Sequence, residues 1–583
     1  MRKTALSLAL LALCACTPKS QDQTADDSAA QPADATTAAA SAHAFNGEID
    51  AADFAEHVQQ LASDDFGGRG PGTPGEDKTV EYIKAQFARI GLQPGNGSDW
   101  FQSVAMVEST ADESATLNLK VGNAAQVLKF GDDMVIGTRT GKPQISVKDS
   151  DLVFVGYGVD APEQQWNDYA GLDVKGKTVV MLVNDPGFHA NDAQLFGGKR
   201  MTYYGRWTYK FEEAARKGAA AALIIHDTEG ASYGWDVVKN SWSGPQYDLP
   251  AKDDPDPRLP AQGWISGDAA NALFKAAGQD LAKLRTAANK RGFKPVPLDA
   301  TLSLDLKSTS SEKTSRNVIG LLPGSETPDE AIVYMAHWDH LGTHEGEQSA
   351  DGTAADTIYN GAVDNATGVA AILEIAEAMR KAPTPPKRSV LFLAVTLEES
   401  GLLGSKYYVA HPVIPLDKTV GVINLDALAP VGKAHDITVV GQGSSELEDI
   451  LKPTLTAQKR RIVGESNTAA GYYFRSDHFN FAKAGVPALY IDSGSDLLEG
   501  GQAAGDAAGR DYTDHRYHKA ADEYDAATWK LDGIIQDLEV ALSVGNALAN
   551  DGQWPNWYEG NPFKAARDAM RPASSGAAQG AKQ

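Results

Sequence analysis

The sequence predicts an α/β protein: a mixed, mostly parallel sheet covered by helices on both faces, carrying an inserted β-rich segment. Three observations predict this. From about residue 315, short apolar strands alternate with helical patterns, as in a sheet packed on both sides. Residues 130 to 300 have another texture, with short strands running into glycine turns. The 583 residues, 42% of them apolar, exceed one ordinary core and suit two globular bodies plus tails. A net charge of −24 argues against nucleic acid, because phosphate affinity comes from Lys and Arg. That charge favours a well-hydrated surface and identifies no substrate.

The first element is a leader. Arg2 and Lys3 precede an apolar run, Ala5 to Ala15, too short to cross a bilayer as a mature helix, so 1–15 reads as a signal peptide. Both cysteines, Cys14 and Cys16, lie in this region. The folded part therefore has no disulfide and no thiolate ligand, and any metal site must use nitrogen and oxygen. Leu13-Cys14-Ala15-Cys16 resembles a bacterial lipobox, which implies cleavage before Cys16 and a lipid on its thiol. With Thr17 following, the resemblance implies an outer-membrane lipoprotein facing the periplasm. A plain secretory signal, giving a soluble periplasmic or secreted protein, is the alternative. Residues 16–45 are rich in Ala, Thr, Asp, Gln and Ser and read as a disordered tether, as does the tail 571–583. No later segment is apolar enough to cross a membrane.

Residues 46–130 read as the N-terminal helical part of the main domain. Phe54, Val58 and Leu61 sit at helical spacing, as do Val80, Ile83, Phe87 and Ile90 in a helix that Gly91 stops. The segment 131–305 reads as the insertion. Its strands run through 152–159, 177–183 and 218–225, with a helix from Phe211 to Lys217. The main domain resumes over 306–560. Buried strands are expected at 331–336, 390–395, 420–425 and 487–491, with a helix from Thr367 to Arg380.

The first three of those strands end in residues a core would not tolerate: His337-Trp338-Asp339-His340, Glu398-Glu399 and Asp426. In α/β sheets, ligands and chemistry collect outside the carboxyl ends of the strands, so these groups are expected to converge. Asp364 precedes a helix and His518 lies in Tyr517-His518-Lys519. Singly each has a bland reading. Asp364 or Asn365 suits a helix N-cap, a paired Glu suits a solvated turn, and a lone His is usually structural. Jointly, carboxylates at neighbouring strand ends would repel one another, and a pair of divalent cations removes that problem. His and carboxylate ligands without sulfur suit zinc, and also manganese or cobalt.

The 131–305 segment, through "GYG…DYAGLDVKGKTVV" and "KFEEAARKGAAAALII", resembles a protease-associated domain. That resemblance implies a lid or substrate-access role; a passive spacer is the alternative. The main domain is similar to the di-zinc exopeptidase family of bacterial leucyl aminopeptidases, glutamate carboxypeptidase and the transferrin receptor. The carrying stretches are "NVIGLLPG", "AHWDHLG", "GAVDNATG", "LEESGLLGS", "NLDA", "RSDHFNFAKAGVPAL" and "YHKAADEYD", in the family's order. The resemblance implies the zinc-exopeptidase fold and hydrolysis of peptides with two Zn2+. It implies that His337 and Asp426 bind one zinc, that Glu399 and His518 bind the other, and that Asp364 bridges them. It makes Glu398 the general base, with Asp339 orienting His337; the residues alone do not say which glutamate does which. His340 and His515 are weaker ligand candidates. Asp426 is followed by Ala427-Leu428-Ala429-Pro430, where many relatives have Met and then Gly, so the local pocket shape departs from the family's. An aminopeptidase is the expected activity. The competitors are a carboxypeptidase or dipeptidase, a glutaminyl cyclase-like acyltransferase, and a receptor-like module without catalysis. Arg475 is the nearby candidate for holding a terminal carboxylate, and its bland reading is an ion pair with a neighbouring acid.

Overall fold

The computed structural model describes residues 43–344 and 356–571. The expected leader, nearly all of the tether and the tail from 572 lie outside the described residues. Among the described residues no helix is long and apolar enough to cross a membrane.

Two helices form where the spacing predicts them. Ala51–Leu61 begins at Asp50, whose carboxylate accepts from Ala52 N at 2.8 Å. Pro74–Ile90 begins at Thr73, has Pro in its first turn and ends at Gly91, whose φ of 89° closes the helix without a Cβ clash. Their apolar faces, with those of Thr367–Lys381 and Asp532–Asn550, cover one side of the main sheet through Ile332, Tyr334, Val390 and Phe392. The alternate residues Val333, Met335, Leu391 and Leu393 face the other side, against Tyr408, Phe479 and Phe481. The two-residue period of a strand is what divides one sequence between two cores.

The main sheet runs in the order Phe101–Ala111, Val296–Leu322, Arg388–Val395, Thr327–His337, Thr419–Leu425, Ala488–Asp492, Asp436–Val439, Arg461–Gly464. The strands from Arg388–Val395 to Ala488–Asp492 are mutually parallel. Their register aligns their carboxyl ends: His337 lies opposite Val395, and Leu425 opposite Ile491.

A second sheet joins Ala124–Lys129, Thr116–Val121, the start of Val296–Leu322, Gln144–Phe154, Thr178–Leu182, Ala221–Ile225, Ala261–Ile265 and Met134–Gly137. Helices Trp207–Arg216 and Trp235–Trp242 lie between its parallel strands in sequence.

Two expectations need correction. The 46–130 part is helical only to Ile90; Phe101–Ala111, Thr116–Val121 and Ala124–Lys129 are strands. Phe101–Ala111 pairs with Ser308–Val318 along its whole length, a long-range contact that the local pattern does not announce. The boundary placed between 305 and 306 falls inside Val296–Leu322, one strand of 27 residues shared by both sheets.

Candidate metal centre

The aligned strand ends bring the polar residues together. His337 closes its strand, and its Nε2 lies 3.1 Å from Asp426 Oδ1 and 3.2 Å from Asp364 Oδ1. The other Asp364 oxygen lies 3.3 Å from His518 Nε2, which is 3.2 Å from Glu399 Oε2. His340 Nδ1 meets the second Glu399 oxygen at 2.8 Å. Asp364 thus stands between two groups, one around His337 and Asp426, the other around His518, His340 and Glu399. Ligand atoms of His337, Asp364 and Asp426 lie within 4.8 Å of one another, and so do those of His340, Asp364 and Glu399.

Local sequence explains how these side chains are freed for the site. The helix Thr367–Lys381 needs a partner at its start, and Asn365 supplies it: its Oδ1 accepts from Gly368 N at 2.9 Å and Ala427 N at 3.1 Å. Its Nδ2 donates to Leu425 O at 3.0 Å. Asn365 therefore ties the helix start to a strand end and leaves the Asp364 carboxylate to face the histidines. Leu397, Ala427 and His518 are non-glycine residues at φ of 57°, 57° and 55°, each at or beside a site residue. Left-handed backbone in L-residues costs about 1–2 kcal/mol each, and such strain clusters at functional sites.

The charges show what the donor set lacks. Burial drives the Glu398 carboxyl well above its ordinary value, and negative Glu399 and Asp426 add to this against His337. Burial opposes ionisation of Asp364, yet hydrogen bonds to His337 and His518 hold it well below the ordinary range. Burial also works against a charge on His518, but its bonds to Asp364 and Glu399 carry it up to about 10. The carboxylates hold protons on the histidines because the cluster demands positive charge. A cation among these nitrogen and oxygen donors would meet that demand, and the donor set fits zinc.

Residues 317–543 match the model for Peptidase family M28. Over that stretch the chain is similar to M28 peptidases. The chain is 27% identical over 168 residues to Aminopeptidase NAALADL1 of Mus musculus, covering 27% of this chain and 20% of that protein. It is 29% identical over 218 residues to Leupeptin-inactivating enzyme 1 of Streptomyces exfoliatus, covering 37% and 44%. It is 30% identical over 198 residues to Glutamate carboxypeptidase 2 homolog of Caenorhabditis elegans, covering 33% and 23%. The match thus spans between a fifth and less than half of each of these relatives.

Within the matched stretch, the structure brings together His337, Asp339, Asp364, Glu398, Glu399, Asp426 and His518. Asp339 differs in detail from its expected role. Its backbone carbonyl lies 3.0 Å from His337 Nδ1, while its carboxylate is 3.9 Å away and accepts from Glu398 N at 3.1 Å. The main chain orients the histidine, and the side chain anchors the backbone of Glu398. His340, ranked below His518 on the sequence, sits just as close to Glu399. His515 is exposed and faces Asp511 at 3.2 Å, outside the cluster.

Three supports went unassigned in the sequence reading. Ser476 Oγ donates to Asp426 Oδ2 at 2.6 Å. The Asp522 carboxylate accepts from Val363 N and Asp364 N at 3.1 and 3.0 Å. Arg69, fully buried, donates to the carbonyls of Trp338, Asn360 and Gly361 at 2.9, 2.6 and 2.7 Å. Ser476 and Asp522 lie in stretches that carried the family resemblance, and the bonds of all three go to backbone or to a single ligand, which spacing does not reveal.

A cavity of about 380 Å3 opens onto Glu398, Glu399 and His518. Trp207 and Phe211 wall it from the second sheet's side, and Phe474 and Phe479 from the main sheet's side. Arg475 also lines it, and its expected ion pair with an acid is not found among the described residues. It donates instead to Ala470 O at 2.6 Å.

Proposed function

We propose that the chain is an exported metallo-exopeptidase, specifically an aminopeptidase that removes N-terminal residues from peptides with two zinc ions. Manganese or cobalt are possible substitutes. The observation that carries this reading is Asp364 divided between two His–carboxylate groups, beside a cavity that Glu398, Glu399 and His518 line. In this reading His337 and Asp426 hold one ion, Glu399 and His518 the other, and Asp364 both. When bound, the ions supply positive charge that keeps the carboxylates ionised, acidifies water and polarises the scissile carbonyl. Glu398, whose carboxylate has no protein partner among the described residues, takes a proton from water and returns it to the nitrogen of the departing amine. The remaining negative potential suits a free α-amine, cationic below a pKa of about 8.

One observation favours a second reading, cleavage next to a free C-terminus: among the described residues Arg475 has no acid within ion-pair distance, and it could hold a terminal carboxylate. A matched pair of short peptides, one N-acetylated and one C-amidated, separates the two. An aminopeptidase stops at the acetylated peptide and still cuts the amidated one. Cleavage of the acetylated peptide with none of the amidated one would reverse the direction of attack.

A further inference from the structure

Beside the shared Asp364, each group of the candidate metal centre has one carboxylate of its own, and the two are held alike. One oxygen of Asp426 faces His337 Nε2 at 3.1 Å, and the other accepts from Ser476 Oγ at 2.6 Å. One oxygen of Glu399 faces His518 Nε2 at 3.2 Å, and the other lies 2.8 Å from His340 Nδ1. In each case one oxygen is turned to a histidine of the site, and the second is taken by a side chain from elsewhere in the chain.

Both of these side chains are themselves fixed. Ser476 is buried, and its Oγ accepts from Asn424 Nδ2 at 2.7 Å, which leaves the hydroxyl proton for Asp426. His340 is buried against the turn that carries Asp364, where a Cβ on Gly361 would lie 2.5 Å from His340 Cδ2. Its ring meets the His518 ring edge-on, with centroids 5.9 Å apart. The His340 Nε2 is enclosed and has no hydrogen-bond partner among the described residues, so the polar work of this ring is done at Nδ1. An ionised carboxylate only accepts, which puts the imidazole proton on Nδ1, and a protonated nitrogen binds no ion. His340 is therefore placed to hold Glu399 and not to replace it. A carboxylate whose second oxygen is free can turn its first away from an ion, and partners that prevent this are typically worth about ten- to a hundredfold in metal affinity.

We propose that His340 and Ser476 are matched positioning residues, His340 for Glu399 and Ser476 for Asp426, and that each sets the affinity of a different one of the two ions without binding it. The proposal rests on the two-zinc reading and adds that the two ions are held by separate supports.

The test reads metal affinity and not turnover. On the full-length protein stripped with chelator, zinc is titrated against a competing chelating dye. His340→Ala should weaken one ion about ten- to a hundredfold and leave the other within about threefold, and Ser476→Ala should do the same to the other ion. The double variant should then bind both ions weakly, which distinguishes two supports for two ions from two supports for one. His340→Asn, whose amide N–H can stand where Nδ1–H stood, should regain most of the affinity, and His340→Gln, whose amide falls nearer to Nε2, should not. If the His340→Ala chain does not fold, the Asn and Gln variants decide the same point. Loaded with cobalt, His340→Asn should keep the visible absorption of the wild type, because the atoms around the ions are unchanged. With two ions bound by the wild type, unaltered affinities in His340→Ala and Ser476→Ala overturn the proposal, as does a double variant that still holds one ion tightly. A single variant that weakens both ions equally marks a merely structural residue and overturns it. A changed cobalt spectrum in His340→Asn would make His340 a ligand, with the same result. A wild type that binds fewer than two ions overturns the two-zinc reading and this proposal with it.

Discussion

In the proposed mechanism the adjacent glutamates have opposite duties. The pair lies in a turn that follows Leu397, whose φ is 57°. Glu399 is turned to His340 and His518, while Glu398 is left to the cavity. Glu398→Gln should retain both metal ions by elemental analysis and lose about a hundred- to ten-thousandfold in kcat, because the amide cannot accept a proton. Glu399→Ala should lose at least one ion per chain. If the two variants exchange phenotypes, the roles are exchanged. His478 makes a separate prediction. It packs against Tyr473 and Tyr490 with ring centroids 4.6 and 5.0 Å apart, and burial lowers it to about 3. A histidine kept neutral in the fold takes up its proton more readily unfolded, so its stabilising effect is full above about pH 6.5 and is lost as pH falls towards 3. Between pH 7 and 5 that loss is roughly 2 kcal/mol from this residue. His478→Phe should therefore reduce by roughly that amount the drop in unfolding free energy between pH 7 and 5, whatever its effect at pH 7. An unchanged pH slope would show that His478 is not the responsible group.

At the scale of elements, the site depends on how closely a helix start approaches a strand end. A Cβ on Gly368 would lie 2.2 Å from Leu425 O and 2.4 Å from Asn365 Oδ1. Gly368→Ala must therefore push the Thr367–Lys381 helix away from the strand that delivers Asp426, and it carries Asp364 with it. The expected result is a thermal midpoint lowered by several degrees and reduced metal content on purification, both read on the same sample. Gly509→Ala is the control. It lies in the helix Gly501–His515 with nothing within 4 Å of the added methyl, and should stabilise by up to about 1 kcal/mol. Arg69 serves the same junction. It ties the turn after the first helix to the carbonyls of Trp338, Asn360 and Gly361, so one buried cation fixes the backbone on both sides of the cluster.

Across the whole molecule, Val296–Leu322 is the shared structural member. Its early residues pair with Gln144–Phe154 in the second sheet and its late residues with Phe101–Ala111 and Arg388–Val395 in the main sheet. This continuity, with the ion pairs Lys406–Asp254 and Lys483–Glu212 across the cavity wall, sets the inserted segment beside the candidate metal centre. The proposed lipid anchor belongs to this scale too. Cys16→Ala should release the protein from the membrane fraction or block its processing, as cell fractionation and mass analysis of the mature chain will show. A mature wild-type protein that is wholly soluble and carries no lipid mass would favour the plain secretory signal.

The sequence by itself determined the parallel core strands, the helices that begin at Asp50 and Thr73, and the residues at the strand ends. Each of these follows from local rules: apolar runs that must be buried, caps that must be met, and carboxylates that no core accepts. Sequence order also brought His337, Asp364, Glu398, Glu399, Asp426 and His518 into one hypothesis, and the structure places them together. Only the tertiary structure decided the rest. Phe101–Ala111 is a strand because a partner lies about 200 residues downstream in its register. Asp339 orients His337 through a carbonyl, and His340 joins the cluster, because distances of a few tenths of an ångström separate a ligand from a neighbour. Arg475 was expected beside an acid, and the fold gave the acids of that wall to Arg139, Arg258, Lys406 and Lys483 instead. Charge pairing is a competition in three dimensions, and a linear sequence records the competitors without the outcome.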